Sequence, residues 1–166
     1  MSAKPSAHFM RFLRGFALYC AGGMSYGLIE TAWRGSTHIS MFFVGGLCFL
    51  VIGMLDEFEY KPCLMLQMPI CAALITSVEL CSGLFINMAL GLNVWDYSQL
   101  PLNLLGQICL PFSVLWLALS LPAIYLDDTL RHFLFGQPMK RLHVFPRLPS
   151  RHALNAVTAV KQKSAG

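Results

Sequence analysis

The chain has 166 residues, 56% of them hydrophobic and 12% charged, with a formal net charge of +4 and a mean hydropathy of +0.59. Soluble globular domains carry about twice that charged share, so the composition argues against an ordinary soluble enzyme and for helices packed in lipid. Six cysteines with no CxxC pair and five scattered histidines give no basis for a disulfide framework, zinc site or haem site. No cofactor or metal is expected.

Four apolar stretches follow a short N-terminal segment at 1–11. They cover residues 12–33, 39–55, 64–90 and 104–126. Each approaches or exceeds the roughly 17–25 residues that cross a bilayer as a helix. Lipid leaves unpaired backbone groups without partners, so such spans must be helical. The expected fold is all-α, an integral membrane four-helix bundle over 12–128 followed by a tail at 129–166. Arg11 and Arg14 precede the first apolar run in the manner of a signal peptide. That run continues to Trp33 with no small-x-small cleavage pattern, which reads as a retained first helix.

The basic residues set the orientation. Lys4, Arg11 and Arg14 lie at the start, and Arg131, Lys140, Arg141, Arg147, Arg151, Lys161 and Lys163 follow the last span. Only Arg34 and Lys61 fall between spans. By the positive-inside rule both termini are cytoplasmic and the protein is multi-pass in the cell's inner membrane. The basic, Pro-containing tail suits anionic lipid headgroups; nothing in it recommends nucleic acid. The acidic linker at 56–61 reads as solvated.

Within the first span, Gly23 and Gly27 form a GxxxG and Gly15 lies on a similar face to Gly22, a pattern that lets membrane helices approach closely. Glu30 and Arg34 share a helix face four residues apart and can pair, with Trp33 as an interfacial anchor. In the third span, Glu79 sits near the middle of an apolar helix, where a carboxylate must be neutral, paired or facing a wet interior. Asn87 lies near the same face. The passage 95–107 then carries Trp95 and Tyr97 as anchors and Asp96, Asn103 and Gln107 as polar groups, and Asn103 is placed to cap the fourth helix. Pro111 and Pro122 predict kinks in that helix, and Trp116 reads as lipid-facing or interfacial. Whether the passage stays at the surface or dips inward toward Glu79 decides between a lid and a site.

The two halves echo one another. Glu30 and Trp33 precede Gly45-Gly46 much as Glu79 and Trp95-Asp96 precede Gly106, which suggests two parallel two-helix repeats. The string Trp95-Asp96-Tyr97-Ser98, Pro101, Asn103, Gly106, Ile108-Cys109-Leu110, Phe112-Ser113 and Trp116, preceded by Glu79, resembles the family labelled "putative ABC-transporter type IV". That family comprises small multi-pass proteins related to the transmembrane protein 229 group. The resemblance implies a membrane fold with an outward WDYS-type loop and no known reaction. The sequence has no Walker A motif and no room for an ATPase domain, so an ABC role would depend on another chain.

Three functions follow. Glu30, Arg34, Glu79, Asp96, Asn103 and Gln107 would line an outward polar cavity of a small transporter or channel, built as a homo-oligomer or part of a larger membrane complex. Alternatively, the glycine seams and polar ties serve a non-catalytic assembly subunit. A membrane enzyme acting on a lipid-like substrate would use Asp96 with Tyr97 or Ser98, or His38, for acid–base work, but no nucleophile–base set is legible, so the chain is read as a non-enzyme.

Overall fold

The computed structural model describes residues 6–55, 62–139 and 143–145. The acidic linker at 56–61 and most of the basic tail lie outside the described residues, and the solvation and headgroup readings made for them end with the sequence.

The described residues form four helices and one small hairpin. Helix α1 runs Ala7–Arg34. Ser6 caps it by accepting from the Phe9 N–H, and Gly35 ends it in the left-handed conformation (φ 75°). Helix α2 runs Ile39–Leu55, and α3 runs Leu64–Gly83. The C-terminal end of α3 widens into a π-helical turn at Leu84–Ala89, closed by Leu90 N–H donating to the Phe85 carbonyl. Strands β1 (Asn103–Leu104) and β2 (Ile108–Cys109) pair antiparallel, Asn103 opposite Cys109. Helix α4 runs Leu110–Phe135 and stops at Gly136 (φ 65°).

The start of α4 corrects the expected span at 104–126. Leu102 (φ 52°), Leu105 (φ 54°) and Gly106 (φ 67°) are left-handed and cannot continue a helix, so residues 103–109 form the hairpin instead. Cys109, not Asn103, occupies the cap position, and Pro111 falls in the first turn, where its missing N–H breaks no helical bond. Pro69 and Pro122 lie inside α3 and α4, and neither ends its helix.

Two continuous helical runs, Leu64–Ala89 and Leu110–Phe135, are long and apolar enough to cross a membrane. Helix α2 is apolar but has 17 residues, and the small and aromatic residues of α1 dilute its hydropathy. Large apolar side chains are exposed along the helices: Phe12, Phe43, Met54, Leu66, Phe85 and Val114 are each more than half exposed. Exposed apolar surface on helices of this length suits lipid contact.

The helices pair as α1 with α2 and α3 with α4. The α1–α2 contact is a reciprocal glycine–aromatic seam: Gly22 receives Phe49, Gly23 receives Phe42, Gly45 receives Tyr26 and Gly46 receives Tyr19. The neighbouring Gly22-Gly23 pair makes the seam; Gly15 and Gly27 face open space, so the Gly23–Gly27 pattern is used only at its first position. Val44, Cys48 and Ile52 of α2 meet Cys71 and Ile75 of α3 and Trp116 and Ile124 of α4 in the central core.

All six cysteines are free, Cys48, Cys71 and Cys109 buried and Cys81 exposed. Near the C-terminal end of α4, Arg131 pairs with Asp127 at 2.7 Å and donates to the Gly53 carbonyl at 3.3 Å, tying α4 to α2. Asp127, Asp128 and Arg131 are buried.

Candidate functional site

Glu79 projects from α3 toward α4 and the 91–109 loop and is 4% exposed. Its two oxygens are both engaged. Tyr97 Oη donates to Oε1 at 3.0 Å, and Trp116 Nε1 donates to Oε2 at 2.9 Å. The loop therefore dips inward as far as this carboxyl group. Tyr97 also stacks on Phe112, with ring centroids 4.6 Å apart. Burial, and then the adjacent Glu79 carboxyl, push the Tyr97 phenol up from its ordinary value, so the hydroxyl keeps its proton and serves as a donor.

A second network builds the loop around Asn87, which the π-helical turn presents inward. Asn87 Nδ2 donates to the Trp95 carbonyl (3.0 Å) and to Gln107 Oε1 (2.8 Å), while Oδ1 accepts from the Val94 N–H (2.7 Å). Trp95 Nε1 donates to the Gln107 carbonyl at 3.0 Å. Gln107 lies against Gly83, where a Cβ would stand 2.5 Å from its Oε1. Asp96 accepts from the Ser98 N–H (2.8 Å) and hydroxyl (3.0 Å), an Asx turn. Asn103 donates to the Ser98 and Leu100 carbonyls and accepts from the Gly106 N–H.

At the outer end of α1, Arg34 Nη1 pairs with Glu30 Oε1 at 2.8 Å, and Thr37 Oγ1 donates to Glu30 Oε2. Arg34 Nη2 reaches across to the Val94 carbonyl at 3.2 Å, so the ion pair also binds α1 to the loop.

Between α1, α4 and the loop lies a cavity of about 710 Å³, lined by Glu30, Arg34, Trp95, Asp96, Tyr97 and Trp116 with Tyr26, Trp33, Phe112 and apolar neighbours. Of the six residues expected in a polar pathway, Glu30, Arg34 and Asp96 reach this cavity. Glu79 does not line it; Tyr97 and Trp116 stand between. Asn103 and Gln107 spend their polar atoms on the loop's own backbone and on Asn87.

The expected anchors divide. Trp33 is 82% exposed near the C-terminal end of α1. Trp95, at 4%, is a buried strut rather than an anchor, and Tyr97 is a ligand of Glu79. Trp116, read as lipid-facing, is buried and completes the Glu79 site. Sequence reasoning missed Thr37 and the Val94 carbonyl altogether. Among the described residues no group of three or more His, Cys, Asp or Glu is placed to hold a metal ion.

A family profile matches residues 15–146, which include the loop and Glu79. The chain belongs to the family described as "Putative ABC-transporter type IV". The match covers the hairpin, α2, α3, α4 and α1 from Gly15 onward, and the family name suggests a transporter-related membrane protein. No curated protein and no solved structure matches the chain.

Proposed function

We propose that this family member is a small transporter or channel-like protein, with four membrane spans, both termini in the cytoplasm, and the α1–α4 cavity as its outward-facing ligand chamber. The observation that carries the reading is the linkage at Tyr97. One ring lines the cavity and, through its hydroxyl, holds the intramembrane carboxyl group of Glu79. Rotation of Tyr97 would join the two and give a cation or proton a carboxylate stop inside the bilayer. Two helical hairpins are little material for a full pathway, so a homo-oligomer or larger membrane complex is part of the proposal. Asp96 is committed to Ser98, and His38 Nδ1 to Ser40, which supports a non-enzymatic role.

Proton or cation flux in liposomes tests this. Glutamine at position 79 keeps the Trp116 bond, its carbonyl accepting from Nε1, while its amide can donate to the Tyr97 oxygen and only the Tyr97 hydroxyl proton loses its acceptor. Glu79→Gln is therefore expected to fold and to lose flux. Unchanged flux removes Glu79 from the pathway.

A second reading has its own support, because both Glu79 oxygens already tie α3 to α4 and the loop. A non-catalytic assembly subunit would co-purify with a specific partner. Its Glu79→Gln variant would show reduced abundance and leave activity per assembled complex unaltered.

A further inference from the structure

The lining of the cavity indicates what kind of ligand it accepts, given the reading of that cavity as a ligand chamber. Two aromatic pairs stand in its wall: Tyr97 on Phe112, centroids 4.6 Å apart, and Tyr26 beside Trp116, centroids 5.9 Å apart. Aromatic faces carry negative partial charge and attract cations, most strongly where water is displaced.

The ionic groups point the same way. Two carboxylates, Glu30 and Asp96, line the cavity against one guanidinium, Arg34. Arg34 is committed to Glu30 and to the Val94 carbonyl. Asp96 is exposed, and its oxygens accept from the neutral N–H and hydroxyl of Ser98. The lining thus carries an excess of one negative charge.

Size and shape exclude a bare metal ion as the natural occupant. About 710 Å³ is the scale of an organic ligand, and no metal-ligating cluster exists among the described residues. A second, apolar cavity of about 160 Å³ lies adjacent and shares Tyr26, Ile29, Trp116 and Leu119 with the first. The chamber is therefore acidic and aromatic at its outer end and greasy toward the bilayer interior.

We propose that the cavity binds a hydrophobic organic cation, its charge between Asp96 and the aromatic pairs and its apolar body directed toward Leu119. All three tryptophans of the chain, Trp33, Trp95 and Trp116, line the cavity, so intrinsic fluorescence reads its occupancy.

The test uses the full chain in nanodiscs, with tetraphenylphosphonium as probe and tetraphenylborate, the same shape with opposite charge, as its match. Binding is measured by equilibrium dialysis after subtraction of empty nanodiscs, with tryptophan emission as the second readout. Saturable phosphonium binding with an emission change, at least tenfold tighter than borate, is expected. Asp96→Asn, which retains an Asx turn, should weaken phosphonium binding by about tenfold and Asp96→Glu by much less. Phosphonium uptake no greater than in empty nanodiscs overturns the proposal, as does borate binding equally well or a folded Asp96→Asn variant with unchanged affinity. The charge-matched comparison is made on the unaltered protein and stands even if Asp96→Asn misfolds. Phosphonium binding without any liposome flux would leave this assignment in place and remove the transport reading; proton flux without phosphonium binding would do the reverse.

Discussion

The two helix pairs of this protein solve the same problem by different physics. Helices α1 and α2 approach through glycines that accept aromatic rings, so their contact is largely shape. Helices α3 and α4 are joined by side-chain hydrogen bonds: Trp116 to Glu79, and Thr76 Oγ1 to Ser113 Oγ at 3.3 Å. Lipid offers helices no hydrophobic incentive to associate, leaving packing and polar contacts as the available means. A glycine seam brings backbones close at no desolvation cost but creates no chemical site. A polar tie fixes register and places a carboxyl group inside the bundle. The site accordingly lies on the α3–α4 side, with α1 contributing the rim of the cavity.

The contrast is sharpest at the glycines. A Cβ on Gly46 would lie 2.7 Å from the Tyr19 carbonyl oxygen, a backbone atom that cannot turn aside. Gly46→Leu is expected to abolish folded, monodisperse protein, and Gly46→Ala to cost about 1–3 kcal/mol. Gly27→Ala meets nothing within 4 Å and should be neutral or stabilising by up to about 1 kcal/mol. Thermal unfolding in detergent separates the three; equal losses at Gly46 and Gly27 would remove the assigned seam.

On the polar side the effects are intermediate. Trp116→Phe keeps most of the packing but leaves Glu79 Oε2 without its donor, a loss of about 1–3 kcal/mol. Glu79→Gln should cost less than Trp116→Phe, since Trp116 keeps its acceptor and the Tyr97 oxygen gains the amide as a donor. Denaturant titration of the two variants orders them, and the reverse order would mean that the charge rather than the hydrogen bond holds α3 to α4.

The smallest change is expected at Thr76→Val. Membrane interhelical hydrogen bonds average about 0.6 kcal/mol, and Ser113 keeps its bond to the Cys109 carbonyl. A loss above about 2 kcal/mol would show that this tie carries more of the pair than its 3.3 Å geometry implies.

How much of this was legible in the sequence depends on the range of the interaction. Apolar length marks α2 and the start of α3 because span length is a local property. The beginning of α4 was misplaced because the leucines at 102, 104 and 105 look like helix, while the reversal rests on left-handed backbone at Leu102, Leu105 and Gly106. At Gly106 a Cβ would also meet Asp96 Oδ1 at 2.7 Å, a contact between residues ten apart. Gly22, Gly23 and Gly27 offer several helical frames, and only the partner's Phe42 and Phe49 choose among them. Glu79 announced itself by its depth in an apolar helix. Its partners did not, because Trp116 is 37 residues away and its indole reads equally well as an interfacial group. Asn103 looked like a pathway residue because the short polar side chains that coordinate a ligand also close turns, whereas Asp96 closes a turn and lines the cavity as well.

The widened turn at Leu84–Ala89 has a further consequence, one of angular phase. In an unbroken α-helix, eight residues advance by about 800°, which would leave Asn87 about 80° away from the direction of Glu79. A wider turn advances less per residue and removes part of that offset, so both polar groups address the same side of α3. The carboxyl group that holds Tyr97 and the amide that holds Trp95 thus share one bearing. A single-residue deletion beyond Asn87, at Met88 or Ala89, would restore ordinary winding over the same eight-residue spacing and part the two without touching either side chain.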